Sequence, residues 1–234
     1  MIFPIGDTQV KGGHFPFFSY LFIVFNVLIF GYQFYLQSQG QLNDFLYDWA
    51  VIPREVATGQ NWVTIFTSMF LHGGWMHLIG NMLFLWVFAD NIEATVGSFK
   101  FLIFYLLGGV AAWGLHFYFN STSSVPAVGA SGAISAVLGA YLIMFPKSRI
   151  KVLFFLFVFE ITAFVFLGLW IAQQFISGVA ELGVDTQIGG GGVAWWAHIG
   201  GFAFGLLAGF LFRSRGYMRE HIIAQNEHPY FHRR

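Results

Sequence analysis

Cysteine is missing from all 234 residues, which excludes disulfides, a thiol nucleophile and thiolate metal sites. Charge is scarce as well. Asp, Glu, Lys and Arg make up 9% of the chain, against about 25% in a soluble domain. A chain so poor in polar side chains cannot cover a water-facing fold. Its 11 basic and 11 acidic residues cancel, so bulk charge points to no nucleic-acid partner. Residues 1–15 have neither the uninterrupted apolar centre of a secretory signal nor the arginines of a transit peptide. What the chain does have is apolar surface: 57% hydrophobic residues, 21% aromatic and 31 Phe. That composition favours one polytopic membrane domain over one or two soluble ones.

A bilayer core asks for about 20 consecutive apolar residues of helix. Six segments meet that need, at roughly 17–36, 74–93, 101–119, 127–146, 152–176 and 193–212, the fifth carrying Glu160 as its one charge. The expected fold is all-α, six transmembrane helices in one bundle. It divides into a short cytoplasmic N-terminal segment (1–16), a membrane domain (17–212) and a cytoplasmic tail (213–234). An even number of spans puts both termini on one side. Lys11, Lys100, Lys147, Arg149, Lys151, Arg213, Arg215 and Arg219 fall on that side, and Arg54 alone on the other. The positive-inside bias therefore places both termini in the cytoplasm. The connection at 37–73 is long enough to be functional, and its aromatics suit the membrane interface. A third outer connection contains Gly189-Gly-Gly-Gly192, a hinge candidate.

Polar groups inside a membrane are costly and mark function. Spans two, four and six all enter from the outer side. Near their entrances stand His72, His77 and Asn81, then Ser131, then His198. At about 1.5 Å per residue, Ser131 lies about 6 Å deep and His198 about 7.5 Å deep. His77 and Asn81 are one turn apart and share a face. A serine needs an adjacent base to become a nucleophile, and acyl transfer needs donors for the developing oxyanion. Ser131 sits between small neighbours, Gly129, Ala130 and Gly132, at a helix N-terminus with free backbone N–H groups. Gly201, Gly205 and Gly209 form a smooth strip in span six. Gly132, Ala136 and Ala140 repeat its spacing in span four, so docking the strips would bring His198 beside Ser131. Taken singly, each motif has a plainer reading as helix packing or a structural hydrogen bond, and His116 is assigned to the latter. His72 and His77 have no nearby carboxylate and no His-Glu-x-x-His pattern, so neither a metal nor a cofactor is expected.

The run His72-Gly-Gly-Trp-Met-His77-Leu-Ile-Gly-Asn81, with Glu93 and Gly97, Gly129-x-Ser131-Gly132 and Ala197-His198-x-x-Gly201, resembles the rhomboid family over roughly residues 17–212. The resemblance implies a six-helix intramembrane serine endopeptidase with a water-filled cavity. Ser131 and His198 would be a catalytic dyad without an acidic third member. His77, Asn81 and the Ser131 backbone N–H would form the oxyanion hole, with His72, Gly129, Gly132 and Gly201 in support. Its partners would be transmembrane protein substrates in the lipid bilayer, and the fifth span with the Gly-rich loop would gate the cavity. Ser135 stands where many family members carry an aromatic that stacks on the imidazole. Trp195, Trp196 or Tyr141 are the candidates to orient His198 in its place. Some members carry Trp-Arg in the first loop where this chain has Trp62-Val63. The rival readings are a non-catalytic relative that binds client helices and a small-solute transporter. The paired half-helices that a transporter would show are missing from the sequence. A prokaryotic inner membrane is the expected location, with the site opening to the outer side.

Overall fold

The computed structural model describes residues 2–8, 10, 13–182 and 193–214. Strand β1 (Ile2–Gly6) precedes the long helix α1 (Phe17–Ser38). The first connection folds into three short helices, α2 (Leu42–Trp49), α3 (Pro53–Ala57) and α4 (Thr64–Thr67), closed by a 3-10 turn at Ser68–Phe70. Helices α5 (Trp75–Val96), α6 (Ser98–Asn120) and α7 (Ser131–Met144) follow. A hairpin of β2 (Arg149–Phe154) and β3 (Phe157–Thr162) then leads into α8 (Ala163–Glu181), and α9 (Trp195–Ser214) ends the described chain.

Among the described residues α1, α6, α8 and α9 are long and apolar enough to cross a membrane. Helix α5 is as long, but Asp90, Asn91 and Glu93 crowd its C-terminal turns, all of them buried. Helix α7 has 14 residues, about 21 Å of rise, shorter than a hydrocarbon core of about 30 Å. Its sides are enclosed, and Gly132 through Tyr141 are buried without a break.

The fold is mostly helical, and the all-α expectation is corrected by a three-stranded antiparallel sheet in the order β1-β2-β3. The fifth span does not run from 152. Residues 149–162 form the hairpin, and the helix occupies Ala163–Glu181. One face of the hairpin carries the facing pairs Ile150–Ile161, Val152–Phe159 and Phe154–Phe157, and the other carries Arg149–Thr162 and Lys151–Glu160. Glu160 is therefore an exposed strand residue and not a charge within a span. The run is apolar enough for a helix, but its alternation and β-branched residues favour strand.

Two polar clusters tie the ends together. At the sheet end, Glu93 accepts from the Phe18 N–H at 2.9 Å, the Ser19 N–H at 2.7 Å and the Ser19 hydroxyl at 2.7 Å. A carboxylate thus satisfies orphan N–H groups at the start of α1, where the helix dipole also favours negative charge. Asp7 accepts from Asn91 and from the Tyr141 hydroxyl. At the opposite end Val51 and Ala127 exchange backbone bonds, and the Gly129 N–H reaches the Ser68 carbonyl at 2.9 Å. The short helices thus fix the segment that leads into α7.

The core forms where α7 meets its neighbours. A Cβ on Gly201 would stand 2.1 Å from the Gly132 carbonyl oxygen, and one on Gly205 would stand 2.0 Å from that of Ala136. One on Gly209 would reach Ala140 at 3.0 Å. The two small-residue strips are in backbone contact along their whole length.

Candidate active site

The docked strips bring the first turn of α7 against the first turn of α9. The His198 Nε2 lies 2.8 Å from the Ser131 Oγ. His198 is buried, so its imidazole needs partners for both nitrogens. Its Nδ1 faces the Gln174 Oε1 of α8 at 2.7 Å. The Gln174 amide nitrogen donates in turn to the Trp170 carbonyl at 3.3 Å, which leaves the amide oxygen for the ring. An Nδ1–H donated to that oxygen leaves Nε2 free to accept the Ser131 proton. Trp170 lies across the imidazole, ring centroids 5.9 Å apart and tilted 33°. Trp195 meets it edge-on at 6.1 Å.

Of the three aromatic candidates to orient His198, Trp195 touches it. Trp196 stacks on Phe119 with centroids 3.8 Å apart, and Tyr141 is bonded to Asp7 and Ser148. Ser135 turns its hydroxyl back to the Ser131 carbonyl at 2.6 Å. Neither Gln174 nor Trp170 was singled out in the sequence. The signal was there: an uncharged amide in an apolar span is a polar group that must find a partner.

The loop before α5 supplies donors. The Gly73 N–H donates to the His77 Nδ1 at 3.3 Å, so the His77 Nε2 carries the hydrogen. A Cβ on Gly129 would fall 2.8 Å from that Nε2 and 3.4 Å from the Ser131 Oγ. It would fill the space between them, and Gly129 also holds a φ of +136°, where a side chain is strained. The first-turn N–H groups of α7, Ser131 among them, have no acceptor within the helix. Asn81 contacts the His72 Nε2 through its amide nitrogen at 3.0 Å. Burial, then the neighbouring His77, pushes the His72 imidazole down to about 3. That keeps it neutral and able to accept from Asn81. The His72 backbone exchanges two bonds with the buried Gln33 of α1, another amide that the sequence alone did not flag.

These groups line a cavity of about 960 Å³. His77, Asn81, Ser131 and His198 form its polar wall, and Met76, Phe84 and Trp170 its apolar one. Phe84 of α5 packs on Phe166 and Trp170 of α8 beside the cavity. His116 is buried edge-on to Trp113, and among the described residues its Nδ1 has no hydrogen-bond partner. Among the described residues no group of three or more His, Cys, Asp or Glu could hold a metal. The Gly189–Gly192 hinge, Arg215 and Arg219 lie outside the described residues.

A model of the rhomboid domain matches residues 59–215, the stretch that holds every residue of this site except Gln33. This chain belongs to the rhomboid family. Mitochondrial Rhomboid protein 1 of Saccharomyces cerevisiae is 28% identical over 195 residues, covering 82% of this chain and 52% of that protein. Rhomboid protease GluP of Bacillus subtilis is 34% identical over 136 residues, covering 57% of this chain and 26% of GluP. RHOMBOID-like protein 4 of Arabidopsis thaliana is 32% identical over 158 residues, covering 68% of this chain and 36% of that protein. The rhomboid chain thus spans about half or less of the length of these relatives. They come from bacteria, mitochondria and a plant, so the expectation of a prokaryotic membrane gains no support from them.

Proposed function

We propose that this rhomboid is an intramembrane serine endopeptidase that cleaves transmembrane segments of other membrane proteins. The observation that carries the reading is the 2.8 Å approach of the His198 Nε2 to the Ser131 Oγ, at the wall of a cavity large enough for a peptide segment. In this reading His198 takes the Ser131 proton as Oγ attacks the scissile carbonyl. An acyl-enzyme forms as the amine leaves with that proton, and water then releases the acid. The developing oxyanion is met by the His77 Nε2–H, the Asn81 amide and the first-turn N–H of Ser131. His72 acts on this hole by fixing Asn81. Six membrane crossings are read into the fold, four by the long apolar helices, with α5 and α7 as the remaining two. Both termini are cytoplasmic, and the cavity opens on the outer side. A substrate helix must unwind locally to offer its backbone, so helix-breaking residues near the cut should raise turnover.

The test is cleavage of a single-span substrate by purified protein in detergent, wild type beside Ser131→Ala and His198→Ala. Loss of product in both variants, with unchanged thermal unfolding, supports the reading. Cleavage by Ser131→Ala removes Ser131 as nucleophile. Labelling by a serine-reactive phosphonate separates a protease from a non-catalytic relative, because it needs no matching substrate.

A further inference from the structure

The reading above leaves the base without an acidic partner, and the structure shows what stands in that position. We propose that Gln174 is the positioning residue of this active site, holding His198 in the tautomer and orientation that catalysis requires. The inference rests on the protease reading and adds a third member, from a third helix, to the pair Ser131–His198.

Four observations converge on it. The Gln174 Oε1 lies 2.7 Å from the His198 Nδ1, as short as the contact on the other side of the ring. Gln174 is 4% exposed, so water does not compete for the bond. Its amide nitrogen is held by the Trp170 carbonyl, so the amide cannot turn its NH2 toward the ring without losing that bond. Trp170, one turn earlier on the same helix, covers the imidazole face. A neutral acceptor also suits this depth. A carboxylate there would be an isolated buried charge, costly to desolvate whenever the imidazole is neutral. The amide oxygen fixes Nδ1–H, and it turns its dipole toward the imidazolium when the proton arrives.

The acceptor and the base sit on different helices. Few residues of α8 are buried, namely Ala163, Phe166, Leu167, Gln174 and Gly178, and its Trp170 lines the cavity. The Gln174–His198 contact therefore holds only while α8 is docked on α9.

Two variants of nearly equal size separate positioning from packing. Gln174→Met keeps the volume and removes the acceptor, whereas Gln174→Glu keeps an oxygen facing Nδ1. Gln174→Met should lose roughly 10- to 100-fold in kcat, part of what general-base transfer contributes, with KM and thermal unfolding close to wild type. Its phosphonate labelling of Ser131 should slow by a similar factor, and Gln174→Glu should be faster than Gln174→Met in both measurements. Wild-type kcat and labelling in Gln174→Met would overturn the inference while leaving the protease reading intact. Equal losses in the two variants would also overturn it, because size and not the acceptor would then be lost. A wild-type protein that neither cleaves nor labels would overturn the protease reading and this inference together.

Discussion

The side-chain amide of Gln33 and the backbone of His72 exchange two hydrogen bonds, each 3.0 Å long. This pairing imitates one rung of an antiparallel ladder, made with a side chain in place of a strand. It clamps the loop before α5 to α1 and so sets where His72 meets Asn81. Gln33 is 2% exposed, so replacing it strands a buried N–H and a buried C=O. Each stranded group costs about 1–3 kcal/mol. Gln33→Leu should therefore lower stability by about 2–6 kcal/mol, read as a fall in unfolding temperature in detergent. An unchanged melting curve would mean that the loop is held by something else.

The two side chains proposed as oxyanion donors are predicted to differ in what their loss does. The His77 Nε2–H faces the cavity, and removing one such donor typically costs a factor of roughly 100 to 1,000 in rate. His77→Ala should show that loss with little change in unfolding. Asn81→Ala also removes the partner of His72, so it should lower both the rate and the unfolding temperature. Parallel steady-state kinetics and melting curves check the contrast, and identical behaviour of the two variants would contradict the assignment.

The contact between α7 and α9 admits no side chain at Gly201 or Gly205. A methyl group at either would overlap a carbonyl oxygen and push the helices apart, a change that costs about 1–3 kcal/mol when a packed core must yield. Gly201→Ala should also separate Ser131 from His198 and abolish cleavage. Gly114 of α6 has open space around it, so Gly114→Ala should be neutral or slightly stabilising. Unfolding and cleavage assays on the three variants test this directly.

The pH dependence of stability should carry the mark of His72. Its folded value is about 3 and its ordinary value 6.5. Between these limits the unfolded chain binds a proton that the folded chain does not. His72 therefore favours folding fully above pH 6.5, and that contribution is lost progressively as the pH falls toward 3. His72→Gln, which cannot titrate, should lose less stability than wild type when the pH is lowered from 7 to 4. Melting curves that drop in parallel would contradict this.

The sequence marked out Ser131, His198 and His77 because titratable and nucleophilic groups stand out in an apolar chain, and Asn81 because it lies one helical turn after His77. It also foretold the strip of Gly201, Gly205 and Gly209 against α7, since contact of that kind depends on side chains that are absent. Hydropathy concealed the hairpin at 149–162. A run such as Ile150-Lys-Val-Leu-Phe-Phe is apolar enough for a helix, and summed hydropathy hides the alternation that favours strand. Gln33 and Gln174 were passed over for a different reason. Each is an uncharged amide with no titratable group one helical turn away to mark it, yet it has the same need for a partner. In α7 the helix is shorter than its apolar run, because it opens only at Ser131 and residues 127–130 lie outside it.

Strand β1 has consequences for the order in which the protein is built. It leaves the ribosome well before its hydrogen-bonding partners, Lys151 to Phe154. The cap of α1 waits in the same way for Glu93, and Asp7 waits for Tyr141. These contacts join parts of the chain that are made far apart in time, and non-local pairings form slowly. Helix α1 must therefore enter the bilayer with its first turn uncapped. The sheet can close only after residues 149–162 have been translated, which makes strand β1 one of the last pieces to lock.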